Sequence, residues 1–350
     1  MVSHRSPSTL AEDITGRVTK FALGATVLLL LACASTMAPC ARAQDSGQPL
    51  QESPLPPPPP PPGHAGLKST VDLVALHVTV TDKKGDLITS LQKNNFEVYE
   101  NKVRQDISLF SRADIPVTAG LVIDNSGSMR EKRAQVNAAA MTFVKTSNPQ
   151  DEMFVVNFND EFYLDTPGDF TNNHQDLQDA LSRIDTRGST ALYDAVIGSL
   201  NHLKKGHRDK RVLLLVTDGD DDASRMTFSD TIKAAMKSNA TIYAIGVFSQ
   251  DDREHDKGMV RRSTRVLKEL AQATGGGAYF PRDLSQVTPI CEQVAKEIRS
   301  QYTIGYYPSN MARDGSFRMV RVKVIAPKGM GKLDVRTRAG YFAPTAAAGN

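Results

Sequence analysis

Between Val74 and Val80 every second residue is apolar, so Val74, Leu76, Val78 and Val80 share one face of an extended chain. Asp82-Lys83-Lys84-Gly85-Asp86 breaks the alternation as a turn. Phe96–Glu100 and Gln105–Phe110 continue the strand pattern, and no 3.6-residue period interrupts the stretch from 71 to 113. The far end repeats the style in Tyr302–Tyr307, Phe317–Ile325 and Lys332–Arg338, separated by Pro308, Asp314-Gly315 and Lys328-Gly329. Neither flanking segment is long enough to form a sandwich alone. The two are therefore expected to pair into one antiparallel β-sandwich, with the middle of the chain inserted between them.

That middle follows another pattern. Val117–Ile123, Met153–Phe158, Val212–Thr217 and Thr241–Val247 are short continuous apolar runs, as in strands buried on both faces of a parallel sheet. Helical periodicity lies between and after them, in Glu131–Lys145, Asp176–Ile184, Ala191–Lys204, Ser229–Lys237, Thr264–Ala273 and Leu284–Ser300. Strand alternating with helix predicts an α/β fold with a doubly wound, mostly parallel sheet. In that architecture ligands bind outside the carboxyl ends of the strands.

Before the folded region, Arg17 and Lys20 precede an apolar run, Phe21–Ala34, and Ala41-Arg42-Ala43 offers small residues at the two positions a signal peptidase reads. A secretory leader over 1–43, cleaved before Gln44, is expected, and with it a secreted, periplasmic or envelope-associated protein. The run is about 14 residues, short of the roughly 20 a bilayer span needs, so the mature chain is expected to have no transmembrane span. A permanent anchor is the alternative. Leu30-Leu31-Ala32-Cys33 also resembles a lipobox, with Cys33 as acceptor. From 44 to 67 the chain is rich in Gln, Ser, Gly and Pro. The proline run Pro56–Pro62 favours a stiff polyproline II spacer over a docking site. The expected organisation is a leader over 1–43, a linker over 44–67, an N-terminal sandwich segment over 68–114, an α/β domain over 115–300, a C-terminal sandwich segment over 301–344 and a tail over 345–350.

Composition narrows the function. The chain carries 42 Lys and Arg against 39 Asp and Glu, a net +3, and losing the leader lowers this to +1. Such a balance argues against nonspecific nucleic-acid binding. Of Cys33, Cys40 and Cys291 only the last survives leader cleavage, which excludes an intramolecular disulfide framework. Cys291 falls among Ile290, Val294 and Ile298 and reads as a buried core thiol.

The chemistry gathers at three strand ends. Asp124-Asn125-Ser126-Gly127-Ser128 follows the first central strand, placing an oxygen at every second position of a loop. Arg187-Gly188-Ser189-Thr190-Ala191-Leu192-Tyr193-Asp194 puts Thr190 at a helix start, and Thr217-Asp218-Gly219 puts a second carboxylate at a strand end. Each of Asp124, Ser126 and Thr190 could separately cap a helix. Capping does not explain why all three segments open onto one rim of the sheet.

Asp-x-Ser-x-Ser, the distant Thr in Gly-Ser-Thr-Ala-Leu-Tyr-Asp and the strand ending in Thr-Asp-Gly resemble the metal-ion-dependent adhesion site of von Willebrand factor type A domains. The likeness spans about residues 115 to 300, and Thr274-Gly275-Gly276 before Ala278-Tyr279-Phe280 is similar to the turn into that family's last strand. The resemblance implies that Asp124, Ser126, Ser128, Thr190 and Asp218 form the metal site, with one or both of Thr190 and Asp218 able to act through water. Asn125, Asp194 and Asp220 are expected at its rim or behind it. The flanking motifs Phe96-Glu97-Val98-Tyr99-Glu100, Tyr302-Thr303-Ile304-Gly305-Tyr306-Tyr307-Pro308 and Gly340-Tyr341-Phe342-Ala343-Pro344 resemble the secreted acidobacterial family related to von Willebrand factor A domains.

Hydroxyls with one or two carboxylates suit Mg²⁺ or Mn²⁺, hard octahedral ions, and leave a coordination position open. The expected function is a metal-dependent, adhesion-type module that captures a protein ligand through an exposed Asp or Glu. The alternatives are an assembly subunit of an envelope complex with a structural metal, and a metal-dependent hydrolase. Enzyme activity is not expected. There is no Gly-x-Ser-x-Gly elbow, Gly329-Met330-Gly331-Lys332 is too short for a phosphate loop, and the seven histidines show no metal spacing. Asp218, Asp220, Asp221 and Asp222 lack the Ca²⁺-loop pattern ending in Glu. The mixed-charge stretch Arg253–Arg265 reads as an exposed loop feeding a helix.

Overall fold

The computed structural model describes residues 72–183 and 185–345. The expected leader, the linker, Cys33 and the tail from 346 onward lie outside the described residues. In chain order the strands are β1 (Val74–Thr81), β2 (Phe96–Glu100), β3 (Val103–Gln105), β4 (Ile107–Ser111), β5 (Val117–Asp124), β6 (Glu152–Phe158), β7 (Phe162–Leu164), β8 (Lys210–Thr217), β9 (Ala240–Gly246), β10 (Ala278–Tyr279), β11 (Tyr302–Tyr306), β12 (Phe317–Val324), β13 (Asp334–Arg336) and β14 (Gly340–Phe342). The helices are α1 (Arg133–Thr146), α2 (His174–Ser182), α3 (Leu192–Leu203), α4 (Phe228–Lys237), α5 (Gln250–His255), α6 (Lys257–Thr274) and α7 (Val287–Ser300).

The central sheet runs β10-β9-β8-β5-β6-β7, all parallel except the short edge strand β7. Both faces of β5 are buried: Leu121 and Ile123 join a core with α1, α2 and α7, while Val122 joins one with α3, α4 and α6. That two-sided burial explains the unbroken apolar runs. Helix α6 ends at Gly275, whose φ of +83° sets a left-handed cap. A Cβ there would fall 2.4 Å from the Thr337 backbone, so only glycine lets the C-terminal segment pass this close.

The flanking segments form two antiparallel sheets, β13-β1-β11-β4 and β14-β12-β2-β3. Each mixes N- and C-terminal strands, and together they enclose a third core containing Leu76, Val78, Val98, Tyr302, Ile304, Tyr306, Val322 and Tyr341. Glu100 and Arg318 pair at 3.2 Å inside it, and the Tyr306 and Tyr341 hydroxyls donate to the same carboxylate. Burying such a pair is tolerable because further hydrogen bonds surround it. The α/β layer is thus inserted between two flanking segments, β1–β4 and β11–β14, that together form the two packed sheets.

Three local expectations need correction. Gln105–Phe110 is not one strand. The chain leaves one sheet after Gln105 and enters the other at Ile107, and alternation cannot reveal the switch because it continues across Asp106. Arg253–Arg265 is no loop, since α5 and α6 cover it except for Asp256, which accepts a hydrogen bond from Met259 N as the α6 cap. On α6 Arg261, Arg262 and Arg265 are exposed while Ser263, Leu267, Leu270 and Ala271 are buried. The edge strand β7 was not expected at all.

Candidate functional site

After β5 the chain crosses to β6 on one side and then returns to β8 on the other, so the order reverses between β5 and β8. A crevice opens at the carboxyl ends of strands at such a reversal. Asp124 ends β5 and Thr217-Asp218 ends β8, which puts both carboxylates there.

Asp124 is fully buried. Its Oδ1 accepts from Ser126 N at 2.8 Å and its Oδ2 from Thr217 Oγ1 at 2.5 Å. Burial first and the charge of Asp218 second push its pKa up to about 6, against bonds from Thr217 and Ser126 that favour the anion. Two carboxylates close enough to repel in a buried crevice form a site that gains from a cation.

The loop after Asp124 turns at once into a short 3₁₀ segment, Gly127–Met129, which brings its alternate side chains together. Ser126 and Ser128 Oγ atoms lie 3.1 Å apart, Ser126 buried and Ser128 exposed. Adjacent oxygens on an octahedral ion with bonds near 2.1 Å are about 3 Å apart. The pair therefore has the spacing of neighbouring ligands.

Thr190 reaches the same rim through loop contacts. Gly127 N donates to Gly188 O at 3.2 Å, tying its loop to the first. Thr190 N donates to Asp222 Oδ1 at 2.7 Å, and Asp222 N returns a bond to Thr190 O at 3.1 Å, tying it to the loop after β8. Gly188 takes a φ of +73°, and a Cβ on it would collide with the Asp160 carboxylate, which accepts from Ser189 N at 2.7 Å. The three segments are thus hydrogen-bonded into one rim.

Asp218 is also buried, and Lys132 Nζ donates to its Oδ2 at 2.9 Å while lying 3.4 Å from Asp252 Oδ2. The adjacent Arg133 is buried and donates to Asn125 Oδ1, Asn137 Oδ1 and Asn157 Oδ1. Burial lowers its pKa to about 10, opposed by the charges of Asp124 and Asp165. Asn125 thereby braces Arg133 and, through its own N–H, Phe158 O at 2.6 Å. Asp194 sits in the first turn of α3 and accepts from Arg225 N and Met226 N at 3.0 and 2.9 Å, holding the loop after β8. Asp220 pairs with Arg262 at 2.8 Å on the exposed rim.

Among the described residues no group of three or more His, Cys, Asp or Glu could hold a metal. The donor set here is of another kind, with two carboxylates and hydroxyls at Ser126, Ser128 and Thr190. All are hard oxygens, which fits Mg²⁺ or Mn²⁺ and not a soft, thiolate-seeking ion. The Cys291 thiol is buried in the α7 core, and burial pushes its pKa up to about 12.

Thr217, Lys132 and Arg133 escaped the sequence reading. Arg133 stands three residues before Val136 and seven before Ala140, on the apolar stripe of α1, and that position was its available signal. Lys132 carries no such mark, since a lysine at a helix start reads as solvated.

Residues 120–220 match the family model of the von Willebrand factor type A domain. No curated protein sequence matches the chain. Among solved structures it is similar to the von Willebrand factor type A protein from Catenulispora acidiphila, at 13% identity and a TM-score of 0.46 over 74% of this chain and 76% of that one. It is similar to the vWF domain of the type V pili tip protein Mfa5 from Porphyromonas gingivalis, at 13% identity and a TM-score of 0.43, covering 53% and 96%. A third is proximal thread matrix protein 1 from the mussel byssus with a zinc-occupied MIDAS motif, at 16% identity and a TM-score of 0.45, covering 57% and 49%. The match to the von Willebrand factor type A domain falls within the inserted α/β layer of this chain, from inside β5 to just past the end of β8.

Proposed function

We propose that this protein is a secreted or envelope-associated binding module that holds one Mg²⁺ or Mn²⁺ on Asp124, Ser126 and Ser128, with Thr190 and Asp218 bonded directly or through water. The bound cation would take a carboxylate from an exposed Asp or Glu of a protein partner. The observation that carries this reading is the hydrogen-bonded union of three loops around two buried carboxylates and a pair of hydroxyls 3.1 Å apart. With Asp218 acting through water, Asp124 alone would leave the divalent ion a net positive charge and an open position for an acidic partner. Placement outside the cytoplasm rests on the leader pattern of residues 1–43. Among the described residues no helix is long and apolar enough to cross a membrane.

Binding without catalysis belongs to the proposal. Hydrolysis at a metal needs a base for the attacking water. The two rim carboxylates the sequence offers, Asp194 and Asp220, are engaged by backbone N–H groups and by Arg262 respectively. A direct test is adhesion of the purified chain from Gln44 onward to a polyglutamate surface in Mg²⁺ or Mn²⁺. Adhesion lost in EDTA and in Asp124→Ala supports the reading, and adhesion unchanged by both contradicts it.

A further inference from the structure

Three elements meet at Lys132. It lies immediately before α1, and its ammonium donates at 2.9 Å to Asp218 at the end of β8 and, by a longer bond of 3.4 Å, to Asp252 on α5. The lysine and Asp218 side chains are 9% and 8% exposed. A buried ammonium is costly unless paired, and so is a second carboxylate beside buried Asp124. The nearby Arg133 donates to three asparagines, which leaves Lys132 as the cation bonded to Asp218.

We propose that Lys132 is a tethered counterion of the metal site: its ammonium neutralises Asp218 in the metal-free protein and yields that carboxylate to an entering divalent cation by moving onto Asp252. The proposal rests on the metal-site reading above and assigns a residue that sets the affinity of that site. The second seat is already built. Asp252 is held by Ser249 N, which donates to its Oδ2 at 2.7 Å, and by the return bond from Asp252 N to Ser249 Oγ at 3.1 Å. It can receive the ammonium without rearranging α5.

The consequence is a trade between two states. An ammonium on Asp218 stabilises the metal-free fold, and the same charge opposes a divalent ion arriving at the same carboxylate. A merely structural ion pair that shapes Asp218 for the metal would act in the opposite direction, because its loss would weaken metal binding. The sign of the affinity change therefore decides.

The test is calorimetric titration of Mn²⁺ into wild type, Lys132→Gln, Lys132→Arg, Asp252→Asn and Asp124→Ala, beside thermal melting of each in EDTA and in Mn²⁺. Lys132→Gln is expected to bind Mn²⁺ about tenfold more tightly. It should melt lower in EDTA and gain more from Mn²⁺ than wild type does. Lys132→Arg keeps the charge and should lie near wild type. Asp252→Asn removes the second seat and should weaken Mn²⁺ binding severalfold. Equal or weaker binding by Lys132→Gln, with wild-type binding intact and lost in Asp124→Ala, overturns the role of the lysine alone. Unchanged or tighter binding by Asp252→Asn overturns the transfer. Absence of Mn²⁺ binding from both wild type and Lys132→Gln, with cooperative melting in each, overturns the metal-site reading beneath it.

Discussion

The hydroxyl of Thr217, at the end of β8, donates to Asp124 Oδ2, at the end of β5, at 2.5 Å, and accepts from Gly219 N at 2.9 Å. This contact fixes the carboxylate that the proposed cation needs and joins the two strands on either side of the topological reversal. Thr217→Val keeps the shape and removes the donor, leaving a buried carboxylate oxygen short of a partner. Such losses cost about 1–3 kcal/mol, so urea denaturation without metal should show a fall of that size. Mn²⁺ affinity should fall severalfold as the carboxylate loses its orientation.

Gly188→Ala probes the second loop. The left-handed backbone and the collision with Asp160 both oppose a side chain there. The loop carrying Thr190 must shift, while the surrounding strands and helices need not. Mn²⁺ affinity is expected to drop about tenfold by calorimetry. The melting temperature in EDTA should fall by only a few degrees, because a strained residue of this kind costs about 1–3 kcal/mol.

What the sequence made legible follows from how strongly a feature constrains side chains. A strand buried on both faces must be apolar throughout, so β5, β6, β8 and β9 stood out as runs, and the alternation of Val320 and Val322 with exposed neighbours marked β12. The loop Asp124-Asn125-Ser126-Gly127-Ser128 stood out because its side chains repeat an oxygen at every second position, and the Ser126 and Ser128 Oγ atoms lie 3.1 Å apart. The sheet switch at Asp106 was not, because backbone direction leaves no mark on a two-residue period. Phe162-Tyr163-Leu164 was missed because an edge strand this short, exposed at all three positions, has no pattern to show. Lys132 was hidden for a related reason, since the carboxylates that bury it come from residues 218 and 252.

Glu297 on α7 ties the α/β layer to the sandwich. It is buried, and its carboxylate accepts from Thr79 of β1 at 3.1 Å, Tyr243 of β9 at 3.0 Å, Tyr279 of β10 at 3.1 Å and the Arg336 guanidinium of β13. Truncation by Glu297→Ala leaves a guanidinium and three hydroxyls without their acceptor. Breaking a buried pair in this way costs about 3–5 kcal/mol. Chemical denaturation should show that loss for Glu297→Ala and a smaller one for Glu297→Gln, which retains an acceptor oxygen.

His77 gives the fold a sensitivity to acid. It lines a cavity of about 170 Å³ with Asp209 and Arg338. Burial, then the charges of Lys210 and Arg338, push its pKa down from 6.5 to about 3. The unfolded chain therefore takes up a proton below about pH 6.5 that the folded chain refuses until about pH 3. Stability contributed by the neutral ring is present above the upper value and is lost as pH falls through this window. His77→Gln removes that loss, so its stability relative to wild type should rise by about 1–2 kcal/mol between pH 7 and pH 5. Equal pH dependence of the two proteins in denaturant melts would contradict the assignment.

The most direct measurement is calorimetric titration of Mg²⁺, Mn²⁺ and Ca²⁺ into the chain from Gln44 onward, beside Asp124→Ala. The account predicts saturable binding at one site for Mg²⁺ and Mn²⁺, abolished in the variant while its cooperative melting is preserved. Wild-type protein that binds neither ion, or a variant that binds them as tightly as wild type, would contradict it.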